Sequence, residues 1–131
     1  MKEIRTLSAP RPSGAYSQGI EAGSFLFSAG MGPHDPATGN VVGESIEEQT
    51  SRTLENLGGV LAQAGLSFAD VVRVTAHLAR LEHDFEGYDL TYRSYFSEPY
   101  PVRTTVGSQL AGILIEVDVI AMRKEARLGE D

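Results

Sequence analysis

The sequence predicts an α+β domain in which two α-helices pack on one face of a single β-sheet. Residues 46–64 repeat apolar side chains at helical spacing, and residues 71–79 alternate apolar and polar side chains like a half-buried strand. A second helical pattern covers residues 84–96 and is followed by two strand-like segments. One sheet with both helices on the same face is the simplest packing that buries both stripes. We expect a single domain over residues 1–131.

The N-terminal third is predicted to contain three short strands and a long loop. The strands are expected at residues 4–7, 19–22 and 24–29, and Gly23 between the last two indicates a tight hairpin turn. Residues 30–43 contain four glycines and two prolines, a composition typical of loops and turns.

The first helix has a clear signal at each end. Ser45 and Glu48 have the spacing of a capping box, in which each side chain accepts a backbone hydrogen bond from the other residue. Gly65 supplies the residue that ends the helix.

The second helix is predicted to begin at a cap formed by Asp84 and to end before Pro99 and Pro101. Its aromatic residues form a stripe that we expect in the core: Phe85, Tyr88, Tyr92, Tyr95 and Phe96. Two strands then follow at residues 102–109 and 113–122.

The last strand has two different faces. Its helix-facing side is predicted to carry Ile115, Val117, Val119 and Ala121. The other side carries Glu116 and Asp118 together with Leu114, Ile120 and Met122. Because the sequence offers no third helix to cover this second face, we expect the protein to self-associate.

Composition and charge exclude several classes of function. A net charge of -7 and the absence of a basic groove argue against nucleic-acid binding. The chain has no cysteine, and its three histidines lack metal-ligand spacing, so we expect no metal site. No secretory signal or membrane span is expected, and the default location is the cytoplasm. Arg123, Lys124 and Arg127 are interpreted as part of a solvated tail.

Arg103 is the first candidate for chemistry, because it opens a strand after Pro101 and a guanidinium binds carboxylates in bidentate fashion. Its structural alternative is a salt bridge to Glu116 or Asp118, which spacing alone favours. These two acids could act as an acid–base pair, but alternation on a wet sheet face also explains them. Tyr16 could line a pocket or simply anchor its loop.

The motifs in order resemble those of the RidA family of reactive-intermediate deaminases, formerly known as YjgF or L-PSP proteins. The resemblance covers nearly the whole chain and rests on residues 14–18 (GAYSQ), 27–30 (FSAG), 36–39, 49–57, 64–72, 92–96, 101–106 (PVRTTV) and 115–121 (IEVDVIA). It implies a chorismate-mutase-like fold assembled as a homotrimer with three clefts between subunits. It also implies hydrolysis of enamines and imines, including 2-aminoacrylate, to 2-oxo acids and ammonia without a cofactor.

The resemblance assigns roles to individual positions. Arg103 matches the arginine that holds the substrate carboxylate, and Glu116 matches the acid that positions the attacking water. Tyr16 matches an aromatic residue of the pocket, and Gly30 belongs to a segment expected to contact the substrate. With the resemblance, the carboxylate-binding interpretation of Arg103 becomes the favoured one.

Three expected substrate-contacting positions depart from the family pattern. Ala29 stands where a serine is usual, Thr105 replaces a cysteine, and Asp89 replaces an asparagine and adds a negative charge that could repel an anionic substrate. These changes leave open a second hypothesis, a regulatory member that binds a small carboxylate without turnover. The older ribonuclease description is disfavoured by the net charge.

Overall fold

The computed structural model describes residues 1–124 and contains six strands and two α-helices. The elements are β1 (Lys2–Ile4), β2 (Gly19–Ala22), β3 (Phe25–Ser28), α1 (Ile46–Gln63), β4 (Val71–Leu78), α2 (Leu81–Arg93), β5 (Val102–Gly107) and β6 (Ile115–Met122). A short 3₁₀ turn at Phe68–Asp70 precedes β4.

All six strands form one mixed sheet in the order β1-β2-β3-β6-β4-β5. The pairing of β4 with β5 is parallel, and every other neighbouring pair is antiparallel. The predicted α+β architecture is therefore confirmed. Strand β5 lies at one edge of the sheet, and β4 separates it from β6.

Helix α1 begins and ends where the sequence predicts. Ser45 accepts a hydrogen bond from the Glu48 amide, and the Glu48 carboxylate accepts one from the Ser45 amide, which completes the capping box. Gly65 follows the helix with φ +75°, a conformation that glycine adopts without a steric penalty. Asn56 on the buried face of this helix donates to the carbonyls of Gly32 and His34 and so fixes the loop after β3.

Strand β4 differs from the predicted alternation at its first residues. The pairing with β6 shifts register between Val71 and Arg73, and this irregularity leaves Val72 41% exposed although Val71 is buried. Strict alternation predicts Val72 on the buried face, and that prediction is wrong because a bulge changes which residues face the helices. From Val74 to Leu78 the alternation is as predicted.

Several predicted boundaries also need correction: strands β3, β5 and β6 are shorter than predicted, and α2 ends at Arg93. Helix α2 begins at Leu81, so Asp84 lies within its first turn and does not cap it; the Asp84 amide already donates to the Arg80 carbonyl. Its carboxylate is 2% exposed and contacts Arg80 and His83 instead. Strand β1 occupies Lys2–Ile4 instead of the predicted residues 4–7, because residues 2–4 are the ones that pair with residues 19–21 of β2.

The sheet face away from the helices is open and partly apolar. Phe25, Phe27 and Met122 are each 40–43% exposed there, as the expectation of an uncovered face requires. Arg123 does not behave as part of a solvated tail, because it contacts Glu21 at 2.8 Å and donates to the Ala64 carbonyl. The predicted tail residue Arg127 lies outside the described residues.

Within residues 1–124, no helix is long and apolar enough to cross a membrane. The same residues contain no cluster of three or more side chains that could hold a metal ion.

Candidate functional site

Strand register places the Arg103 side chain on the helix-facing side of the sheet. In the parallel pairing of β4 with β5, Arg103 lies opposite Val74, which is fully buried beneath the helices. Paired residues on neighbouring strands project to the same face. Arg103 therefore extends from the edge strand towards α2, and its side chain is 23% exposed.

The partner of Arg103 is Asp89, which the sequence placed among the substrate contacts and not in a salt bridge with Arg103. Nη1 of Arg103 donates to Oδ1 of Asp89 at 2.9 Å. The predicted alternative partners, Glu116 and Asp118, belong to β6 and project to the opposite face. The expectation of a salt bridge to either of them is wrong, because β4 separates the two strands.

Aromatic rings of α2 surround the Arg103 guanidinium. Its central carbon lies 4.6 Å from the ring centre of Tyr92, 5.2 Å from that of Tyr88 and 5.7 Å from that of Phe85. These distances are within the range of cation–π attraction. Most of the aromatic stripe lies in the core, as expected, but Phe85 is 39% exposed. The same rings also form the surface against which the Arg103 guanidinium packs.

Asp89 lies between two arginines. Its Oδ2 accepts hydrogen bonds from Nε and Nη2 of Arg93 at 3.1 and 3.0 Å, while Oδ1 accepts the bond from Arg103. Burial acts to raise the pKa of Asp89, but the hydrogen bonds from both arginines outweigh burial and lower it. Burial acts to lower the pKa of Arg103, yet the bond to Asp89 raises it overall. Both groups are charged at neutral pH.

A cavity of about 330 Å³ opens beside this ion pair. It is lined by Asp89, Tyr92, Arg93, Tyr100, Pro101 and Arg103. Burial raises the pKa of Tyr92 to about 12, so its hydroxyl keeps its proton at neutral pH. That hydroxyl has no hydrogen-bond partner among the described residues. The cavity is of a size that accepts a small ligand and is charged at one end.

Thr105 lies near this cavity without lining it. It is two residues beyond Arg103 on β5 and therefore projects to the same face. Its hydroxyl is 3.1 Å from the Tyr88 hydroxyl, and this contact holds the ring that lies against Arg103.

Glu116 lies elsewhere, on the open face, next to Gly30. A Cβ atom at position 30 would be only 2.7 Å from Oε2 of Glu116, so the glycine permits this close approach. The Ala29 amide donates to the Gln18 carbonyl, and Met31 forms a bridge to Val117, which together fix the segment beside Glu116. His77 lies opposite Glu116 in the register of β4 and β6.

Tyr16 belongs to a third region. It is 50% exposed, and its hydroxyl accepts a hydrogen bond from the Ser13 amide at 3.1 Å. It lines a groove of about 740 Å³ formed mainly by the N-terminal segment. Within one described chain, the expected site residues thus lie in three places, around Arg103, around Glu116 and around Tyr16.

Comparisons with known proteins assign the chain to a family. A family model described as Endoribonuclease L-PSP matches residues 6–123. The chain belongs to this family, the RidA family. Its sequence is 45% identical over 127 residues to a RutC family protein of Pyrococcus horikoshii, covering 95% of this chain and 100% of that protein.

Two further relatives carry more specific descriptions. The 2-iminobutanoate/2-iminopropanoate deaminase of Salmonella typhimurium is 34% identical over 128 residues, covering 94% of this chain and 98% of that protein. The crystal structure of Escherichia coli TdcF with bound serine superposes with a TM-score of 0.88 at 32% identity, covering 95% of this chain and 100% of that one. The predicted family and fold are confirmed.

For this RidA family member, sequence reasoning missed four of the residues that line the cavity with Arg103. They are Tyr92, Arg93, Tyr100 and Pro101. The sequence did contain one signal that these side chains lie together. Residues 85, 88 and 92 follow helical spacing, and Asp89 and Arg93 are four residues apart on the same helix. That this helix packs over Arg103 could not be read from the sequence.

Proposed function

We propose that this protein hydrolyses reactive enamines and imines of 2-amino acids, including 2-aminoacrylate, to 2-oxo acids and ammonia. The observation that carries the proposal is the half-buried, charged Arg103 at a cavity of about 330 Å³. The chemical class agrees with the deaminase of Salmonella typhimurium and with the amino acid bound in TdcF.

Arg103 is suited to bind the carboxylate of such a substrate. A guanidinium is planar and carries five N–H donors, and its bond to Asp89 engages only Nη1. Arg103, Asp89 and Arg93 together carry one net positive charge at this end of the cavity. The aromatic rings of α2 that pack against the guanidinium restrict its orientation, so a bound carboxylate would be held in a defined position.

Glu116 must come from a second copy of the chain if it is to act on a substrate held by Arg103. The two side chains project from opposite faces of the sheet in one chain. We propose a homotrimer in which the open face of one copy meets the neighbouring copy near β5. The exposed apolar side chains on the open face, including Phe25, Phe27 and Val106, provide the contact surface.

The chemistry needs acid–base steps and no electron transfer. An enamine first gains a proton at carbon to give the imine, which is protonated on nitrogen. Water held by the Glu116 carboxylate adds to the imine carbon as a C–O bond forms, and a proton moves to the nitrogen. The resulting carbinolamine expels ammonia and leaves the 2-oxo acid. We therefore propose that the reaction proceeds without a cofactor.

One observation favours the second hypothesis, a regulatory carboxylate-binding protein. Asp89 already accepts a hydrogen bond from Nη1 of Arg103, so a ligand carboxylate has to share the guanidinium with it. Glu116 is retained at its position next to Gly30, which favours turnover. Action on RNA is not proposed, because a net charge of -7 opposes phosphate binding.

The proposal is tested by generating 2-aminoacrylate with an upstream enzyme, in competition with semicarbazide. The rate of pyruvate release is measured with the wild-type protein, with Arg103→Ala and with the control Lys2→Ala, which removes a positive charge from an exposed position of β1. We expect acceleration by the wild type and the control and none by Arg103→Ala. No acceleration by the wild type with several imino acids would contradict the proposal.

A further inference from the structure

The carboxylate of Asp89 has one acceptor position left beside the cavity. A carboxylate offers about four lone-pair positions. Among the described residues, Arg93 uses two at Oδ2 and Arg103 uses one at Oδ1. Asp89 also lines the same cavity as Arg103, and its side chain is 20% exposed. The cavity therefore presents an anionic acceptor directly beside its cationic donor.

We propose that Asp89 is a specificity-determining residue, which makes the cavity select ligands that carry both a carboxylate and an adjacent protonated nitrogen. This inference rests on the proposed function, because it assumes that Arg103 receives the ligand carboxylate. A ligand bound there places the substituent on its neighbouring carbon within a few ångströms of Asp89, since Asp89 is 2.9 Å from Nη1.

The charges explain the selection. A plain carboxylate that binds Arg103 is repelled by Asp89 and makes no favourable contact with Asp89 in return. A ligand with a protonated nitrogen next to its carboxylate offsets that repulsion with a charge-assisted hydrogen bond to Oδ1. An asparagine at this position carries no charge, so it would lack both the repulsion of the anion and the charge-assisted hydrogen bond to the cation.

The same selection separates the substrate of the proposed reaction from its product. A protonated imino acid carries a cationic nitrogen, whereas the 2-oxo acid is an anion without one. Hydrolysis therefore removes the group that Asp89 attracts and leaves the carboxylate that Asp89 repels. Asp89 favours retention of the substrate and release of the product.

Arg93 limits the strength of this effect. It donates two hydrogen bonds to Oδ2 of Asp89 and thereby offsets part of the negative charge. Its own side chain is 62% exposed, so solvent screens its influence. Removing Arg93 should therefore strengthen the preference for a cationic nitrogen, whereas removing the charge of Asp89 should weaken it.

The test compares the binding of L-alanine with that of propionate, which lacks the amino group, by titration at neutral pH. The ratio of the two dissociation constants is measured for the wild type, Asp89→Asn and Glu86→Gln. Glu86→Gln is the matched control, because it removes one negative charge from an exposed position on the same helix. We expect the preference for L-alanine to fall about fivefold in Asp89→Asn and to persist in Glu86→Gln.

A further variant, Arg93→Gln, should raise the preference for L-alanine. An unchanged ratio in Asp89→Asn, or an equal fall in Glu86→Gln, would overturn the inference. The imine assay on the same wild-type protein separates the two proposals. Turnover with an unchanged ratio would reject only the role of Asp89, whereas neither turnover nor binding of either probe would reject both.

Discussion

Arg103 and Glu116 lie on opposite faces of the same sheet, with strand β4 between the strands that carry them. Arg103 rests against the aromatic rings of α2, while Glu116 lies beside Gly30 on the open face. Within one folded chain, the arginine and the acid of the proposed site therefore do not meet. The proposed homotrimer requires that they meet across the contact between two copies.

Replacing Tyr92 with phenylalanine should not destabilise the protein. The Tyr92 hydroxyl is buried without a partner among the described residues, so its removal costs no hydrogen bond. Tyr88→Phe is the matched comparison, because it removes the contact between the Tyr88 and Thr105 hydroxyls. Chemical denaturation should show a loss of about 1 kcal/mol for Tyr88→Phe and none for Tyr92→Phe. Equal losses in the two variants would contradict this account.

Asp89 should contribute to stability only where it is ionised. Its pKa in the folded protein is lowered from the ordinary value of 3.8, so the contribution is present above pH 3.8 and is lost as the pH falls through the folded-state pKa. The difference in free energy of unfolding between wild type and Asp89→Asn should therefore disappear in acid. A difference that stayed constant with pH would contradict the charged pair.

Asp118 should show the reverse dependence, because burial raises its pKa although His77 and Arg73 oppose the shift. Its stabilising contribution is present below pH 3.8 and is lost as the pH rises through the folded-state pKa. Asp118→Asn should therefore gain stability relative to wild type as the pH rises towards neutrality. Denaturation curves across this range check the sign, and a relative loss would contradict it.

Gly30→Ala should impair turnover more than carboxylate binding. The added methyl group would come within 2.7 Å of the Glu116 carboxylate and displace it, and its three nearest neighbours are all atoms of Glu116. We expect kcat for imine hydrolysis to fall about tenfold or more and propionate affinity to stay within about twofold. Gly107→Ala is the control, since its nearest new contact is an ordinary 3.5 Å to Leu81. An unchanged kcat in Gly30→Ala would argue against Glu116 as the water-positioning acid.

Local patterns were sufficient to predict most of the elements. The capping box at Ser45 predicts the start of α1, and the alternation in β6 predicts which residues face the helices, because both signals depend on neighbours in the chain. Asp84 shows the limit of this reasoning. A helix can begin one turn before an acidic residue, and the buried carboxylate is then satisfied by Arg80 and His83 instead.

The candidate site depended on relationships that no local pattern reveals. The order of the strands makes β5 an edge strand separated from β6, and this order decides that Arg103 cannot reach Glu116. The packing of α2 over β5 decides that Asp89 is the partner of Arg103. Family motifs pointed to the individual residues, but the pairing between them required the fold.

The most direct test of the account is complementation between two variants that are each expected to be inactive, Arg103→Ala and Glu116→Gln. Co-expressed chains should form mixed trimers in which about a quarter of the clefts combine an intact Arg103 from one copy with an intact Glu116 from its neighbour. We predict that the mixture recovers about that fraction of wild-type imine hydrolysis, while each variant alone stays inactive. Mixed trimers without any recovered activity would contradict a site shared between subunits.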